Sequence, residues 1–365
     1  MSLASKRALR PRVSLLGASL LLTLLLAGCT SLGYYSHSIK GGLGILTRRR
    51  SIESLLADPT TSPELRERLE LVLDIREFAG QHLTLPLGGS YRSYVDIDRP
   101  YAVWTVVAAE ELSVEPVEWC FLIAGCVSYR GYFSREKAER FAEKLGRKGL
   151  ETDVGGAAAF STLGWFSDPV LSSFVDYPEA ELAGLVFHEL AHQRLYVKDD
   201  TTFNESFATV VELEGVRRWL LQDGRNDAPP AYRIAKQRQI EIADLVRRYR
   251  ERLAAVYSRE ESEAWKRIRK EELFDELREA YRDLETSWGE PSRYGAWFGD
   301  GLNNARLASL GAYYDLVPAF ETLLARAGGD LSLFYEQAAA LGKLDKADRR
   351  ARLQELSEPG VNSGS

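Results

Sequence analysis

Apolar positions change period along the chain, and the changes mark out its elements. From Arg48 to Gly80 the spacing is helical: Ile52, Leu55 and Leu56, then Leu65, Leu69, Val72, Leu73 and Ile75, with Pro59 and Pro63 between. Residues 82–133 shift to β-like character. Tyr101–Val107 and Trp119–Tyr132 are rich in β-branched and aromatic residues and predict strands. Ser134 to Leu150 reads as a charged amphipathic helix. Gly155 and Gly156 then precede Phe160–Phe174, a second strand-like stretch. From Pro178 onward the pattern is almost entirely helical. Ile234, Ile240, Ile242, Leu245, Tyr249, Leu253 and Val256 recur at helical spacing among many charges, and Glu260–Trp288 is similar. Two long antiparallel helices are the simplest reading, with the charges as a solvated face. Tyr294–Leu356 gives further helices, separated by Gly328-Gly329 and Gly342. The expected class is α+β, mostly helical: a small sheet region, then a helical half.

The N-terminus follows another logic. Lys6, Arg7, Arg10 and Arg12 precede an apolar run from Val13 to Ala27, short for a membrane span and laid out like a secretory signal. The run ends in Leu26-Ala27-Gly28-Cys29, which resembles the lipobox of bacterial lipoproteins. That resemblance implies cleavage before Cys29 and an acylated, membrane-held N-terminus. Thr30, rather than Asp, after Cys29 points to the outer membrane of a Gram-negative envelope, facing the periplasm. The expected organisation is a signal peptide over 1–28, a Gly- and Ser-rich tether over 29–47, an α/β region over 48–177, a helical region over 178–358 and a disordered tail over 359–365.

Composition adds little beyond exclusions. The 365 residues are 45% apolar and 27% charged, ordinary for a globular body. A net charge of −6 without a dense Lys/Arg stripe argues against a nucleic-acid partner. Cys120 and Cys126, in an apolar strand-like stretch, are a candidate disulfide in an oxidising compartment; two buried free thiols are the alternative.

The chemistry lies in Leu185-Val-Phe-His188-Glu189-Leu190-Ala191-His192. On a helix, His188 and His192 stack on one face a turn apart, within reach of a single metal ion. Glu189 sits one step round, placed to take a proton from water at that ion. A catalytic zinc site needs a third protein ligand and an open position. No third His is near: the chain has 4 in all, and His37 and His82 are distant. A helix ending near Tyr196, a turn, and a new helix from Thr202 would bring Glu205 level with His192. Thr202-x-x-Glu205 also fits a capping box, a competing role for Glu205. Glu212, two turns further on, is a candidate carboxylate to orient a ligand His, or else a surface charge. One zinc ion per chain is expected.

His188-Glu-x-x-His192 followed by Asn204-Glu205-x-Phe-Ala resembles the gluzincin zinc peptidases, and the resemblance implies Glu205 as third ligand. The chain is more similar still to a family of bacterial lipoproteins described as predicted aminopeptidases. Trp119–Phe133, Thr162–Ser172, His188–Glu205 and Asn303-Asn-Ala-Arg-Leu307 carry that similarity. It implies a shared fold and metal site, with Asn204 a further candidate beside the ligands, and a peptide or protein is the expected substrate. A hydrolytic transition state also needs an oxyanion donor, usually Tyr in related enzymes, and Tyr313 and Tyr314, close in sequence to Asn303 and Asn304, are the candidates. An edge strand at Gly164-Trp165-Phe166 would pair with substrate backbone; an internal core strand is the alternative. One departure stands out: the Gly-x-Met-Glu-Asn loop, with which gluzincin aminopeptidases hold the substrate amine, is missing. Asp168, Asp176, Glu179 and Glu212 are the substitutes available. An endopeptidase acting on envelope proteins is the alternative, and a non-catalytic scaffold with a structural metal is a third reading.

Overall fold

The computed structural model describes residues 44–45, 47–121, 125–159, 167–222, 230–292 and 294–357. The expected signal peptide, Cys29, nearly all of the tether, Gly164-Trp165-Phe166 and the 359–365 tail lie outside them. The chain divides into two units, Met1–Thr47 and Arg48–Ser365, and every element named here belongs to the second. No helix among the described residues is long and apolar enough to cross a membrane.

The chain is mostly helical with little sheet, as its pattern predicts. The first elements are β1 (Arg50–Ser51), α1 (Ile52–Ala57) and α2 (Pro63–His82). Ser62 caps α2, its hydroxyl accepting from the Leu65 N–H, and Pro63 opens the helix where no N–H partner is needed. Strand β2 (Ser93–Val95) joins β1 antiparallel and β8 (Val170–Leu171) parallel.

The second sheet has the order β6-β3-β7, all antiparallel, from β3 (Val103–Glu110), β6 (Arg130–Tyr132) and β7 (Leu150–Ala157). Strand β7 pairs with β3 from Val103↔Ala157 to Glu110↔Leu150. The sequence pattern does not predict it. Leu150-Glu-Thr-Asp-Val-Gly-Gly-Ala has weak β propensity, and its strand state comes from pairing along the whole of β3. Helix α3 (Arg135–Gly146) packs on this sheet. In place of one long strand, Trp119–Tyr132 contains a hairpin of β4 (Trp119–Phe121) and β5 (Gly125–Val127), then β6. Cys120 and Cys126 are opposite each other in that hairpin and disulfide-bonded.

Two adjacent helices form the centre: α4 (Glu179–Arg194) and α5 (Thr201–Gln222). Leu182, Ala183, Val186, Phe187, Leu190 and Ala191 of α4 are buried, as are Phe203, Phe207, Ala208, Val210, Val211 and Val216 of α5. Helices apolar on nearly all sides belong in a core, which makes them a rigid platform. The long hairpin follows as α6 (Pro230–Tyr257) and α7 (Glu263–Trp288). Its seam joins Leu245, Tyr249 and Leu253 to Phe274, Leu277 and Tyr281. Its charges are not only a solvated face. Lys270 is 3% exposed, donates to the Glu111 carbonyl at 2.9 Å and pairs with Glu151. Short α8 (Gly295–Phe298), α9 (Asn304–Tyr314), α10 (Val317–Arg326), α11 (Leu331–Gly342) and α12 (Lys346–Ser357) complete the chain. Helix α9 lies between β3 and α5, its Ala305 and Ala308 packed on Val107 and Ala109 of β3 and its far end against α5.

Candidate metal centre

His188 and His192 project from α4 with ring centroids 5.0 Å apart. Helix α4 ends at Arg194, and a short loop leads to Thr201, where α5 begins. Asn204 shapes that loop. Its side chain accepts from the Val197 N–H at 2.7 Å and donates to the Val197 carbonyl at 2.8 Å. Asn204 thus sets the path between the two helices and is not aimed at the histidines.

The cap of α5 is Asp200, whose carboxylate accepts from the Phe203 N–H at 3.2 Å. The capping-box role for Glu205 is therefore corrected. The helix starts one residue earlier than expected, Asp200 satisfies its first turn, and the Glu205 side chain is free to face α4. Glu205 Oε2 lies 3.2 Å from His188 Nε2 and 3.6 Å from His192 Nε2. One donor atom from each of the three residues falls within 4.8 Å of the others. Tetrahedral bonds of about 2.0–2.2 Å require donors roughly 3.3–3.6 Å apart, close to the two Glu205 distances, and the three residues have the chemistry to hold one divalent ion.

Glu212 meets His188 from the other side, its Oε2 3.3 Å from Nδ1. Gly184 permits this approach, since a Cβ there would stand 3.2 Å from the Glu212 carboxylate. Glu212 also accepts from Lys236 Nζ at 2.6 Å. Lys236 was hidden in the charged run of α6, and nothing in the sequence relates it to a residue on another helix.

The electrostatics describe a pocket prepared for positive charge. Burial alone would push the His188 imidazolium down, yet hydrogen bonds to Glu205 and Glu212 raise it to about 10. Burial would raise Glu205, but the His192 charge and the His188 hydrogen bond hold it well below the carboxylate range. A divalent cation at the same place would supply positive charge to the same acids. Glu189 differs: burial raises its carboxyl above the usual range, although both histidines pull it down.

Tyr313 stands over the cluster, its ring centroid 6.3 Å from that of His188. The residue as a whole is 41% exposed. Chiefly the Glu205 charge, then desolvation, lifts its phenol well above 10. Ser206 ties down this end of α9, donating to the Tyr313 carbonyl and accepting from the Leu316 N–H, each at 3.3 Å. Tyr314 is the next residue, about 100° further round the helix. Asn303 and Asn304 start α9 and bond to β7 and the Glu111 carbonyl, about 15 Å from Tyr313 along the axis. They are neighbours of the tyrosines in sequence only.

The four acids considered for amine binding separate clearly. Glu212 is engaged with His188 and Lys236. Glu179 accepts from the Trp219 indole at 2.9 Å. Asp176 is exposed and acts on Tyr94. Asp168, 2% exposed, has Gln193 Nε2 3.5 Å away, and its charge raises Glu189. Gln193 is one turn from Glu189 on the same face of α4, so Asp168 is the one of the four whose charge bears on Glu189.

No curated protein and no solved structure matches the chain. A family model described as "Putative aminopeptidase" matches residues 33–353, most of the sequence, and the chain therefore belongs to that family.

Proposed function

We propose that this protein is a zinc-dependent aminopeptidase of the cell envelope, held to the membrane through a lipidated Cys29, with one zinc on His188, His192 and Glu205. The observation that carries this reading is the convergence of those three donors within 4.8 Å, with Glu189 beside two of them on the same buried helix. When bound, zinc supplies a Lewis acid that polarises the peptide carbonyl and makes water more acidic. Glu189 accepts the proton of the attacking water and passes it to the departing amine. Glu212 holds the His188 ring by Nδ1 and so keeps Nε2 turned toward the ion's place. Tyr313, kept protonated, donates a hydrogen bond to the developing oxyanion. A structural-metal scaffold is disfavoured, because such sites are closed and usually rich in Cys.

The test uses free and N-acetylated peptides with the purified, zinc-loaded protein. Mass spectrometry should show single residues lost stepwise from free N-termini only. Equal cutting of acetylated peptides would replace this reading with an endopeptidase, which the missing Gly-x-Met-Glu-Asn loop favours. Tyr313→Phe should lower kcat by roughly 10²-fold with zinc content unchanged, whereas Tyr314→Phe should stay close to wild type. If Tyr313→Phe keeps full kcat, the oxyanion donor lies elsewhere.

A further inference from the structure

Helix α6 reaches both sides of the candidate centre with two cations on nearly the same face. Near its start, Lys236 Nζ donates to Glu212 Oε1 at 2.6 Å, and Glu212 Oε2 faces His188 Nδ1 at 3.3 Å. Fourteen residues on, about 21 Å along the axis, Arg250 donates to Asp315 Oδ2 at 2.6 Å. Asp315 is the C-terminal cap of α9, two residues after Tyr313. Both pairs are shielded: side-chain exposures are 21% and 18% for Lys236 and Glu212, 12% and 25% for Arg250 and Asp315. Arg250 lies directly across Gly311, where any Cβ would overlap its guanidinium.

We infer that α6 is a strut with two positioning residues, Lys236 acting on the metal ligand His188 through Glu212 and Arg250 acting on Tyr313 through Asp315. The inference rests on the zinc-peptidase reading. Lys236 holds one Glu212 oxygen, which leaves the other aimed at the imidazole. Without it Glu212 is released to turn away, and His188 loses its orienting partner, an effect typically worth 10–100-fold in metal affinity. Arg250 bonds to Asp315 and not to a donor residue or to Glu212. It sets where α9 ends and thus where the phenol stands. The two arms should therefore fail in different ways.

The full-length protein is titrated with zinc against a chromophoric chelator, and kcat is measured at saturating zinc. Lys236→Met should weaken zinc binding by about tenfold or more, and Lys236→Arg should recover most of it. In a Glu212→Gln background Lys236→Met should add less than about twofold, because its action runs through that carboxylate. Arg250→Met should leave zinc affinity within about twofold but lower kcat about tenfold, with no further loss when Tyr313 is already Phe. Wild-type zinc affinity in Lys236→Met, or additive losses in the double variants, overturns the strut while leaving the peptidase reading intact. A wild-type protein that binds no zinc overturns both. Should either methionine variant fail to fold, Lys236→Gln and Arg250→Gln decide: the first must weaken zinc binding more than it lowers kcat and the second the reverse, or the inference fails.

Discussion

Glu189→Gln should lower kcat by about 10³-fold or more and leave one zinc per chain bound. The change is nearly isosteric, so helix α4 and the three donors have no reason to move. What it removes is the ability to take a proton. Glu189 is one residue round the helix from His188 and forms no part of the donor trio, so its loss costs no ligand. Burial raises its carboxyl, which makes it a stronger base than an exposed glutamate once it is ionised. The measurement is a steady-state kcat beside metal analysis of the same sample. Zinc retained and turnover lost would agree with the assigned role. An active Glu189→Gln protein would assign proton transfer to another group, and a zinc-free one would show that Glu189 supports the ligands.

The residues on which that prediction turns were legible because they are local. His188, Glu189 and His192 lie within one helical turn and a half, and the helix itself is announced by its apolar neighbours. Glu205 was legible by arithmetic, since a short turn between two helices leaves it level with His192. Its competing capping role depended on a helix start at Thr202, and the start at Thr201 with Asp200 as cap removed it. Strand β7 was not legible. Its glycines and charges read as a connection, and only its partner β3 makes it a strand. The few partnered charges of α6 and α7 were not legible for a related reason. Lys236, Arg250 and Lys270 match the solvated residues beside them in sequence, and differ only because acids from distant segments meet them. Propensity records what a residue prefers alone, whereas partners more than a hundred residues away, such as Glu151 for Lys270, are set by the assembled fold.

Asp200→Ala should destabilise the protein by about 3–5 kcal/mol and reduce zinc affinity with it. Asp200 has two tasks. One oxygen caps α5, and the other accepts from Arg349 Nε at 2.9 Å, with the Asp200 side chain fully buried and that of Arg349 only 5% exposed. Arg349 also donates to the Gly342 and Leu344 carbonyls at 3.1 and 2.9 Å and lies over the Phe203 ring. Through this one carboxylate, helix α12 is joined to the first turn of the helix that carries Glu205. Removing the acid leaves a guanidinium buried without its counter-charge, which costs more than the pair contributes. The melting temperature should fall by on the order of 10 °C. Replacing both residues, as Asp200→Ala with Arg349→Met, should recover part of the loss because no charge is then stranded, though the missing cap still costs about 1 kcal/mol. Calorimetry on the single and double variants separates the two tasks. A double variant as unstable as the single would put the whole cost on the cap. A single variant within about 1 kcal/mol of wild type would mean that the joint to α12 holds neither the fold nor, through it, the position of Glu205.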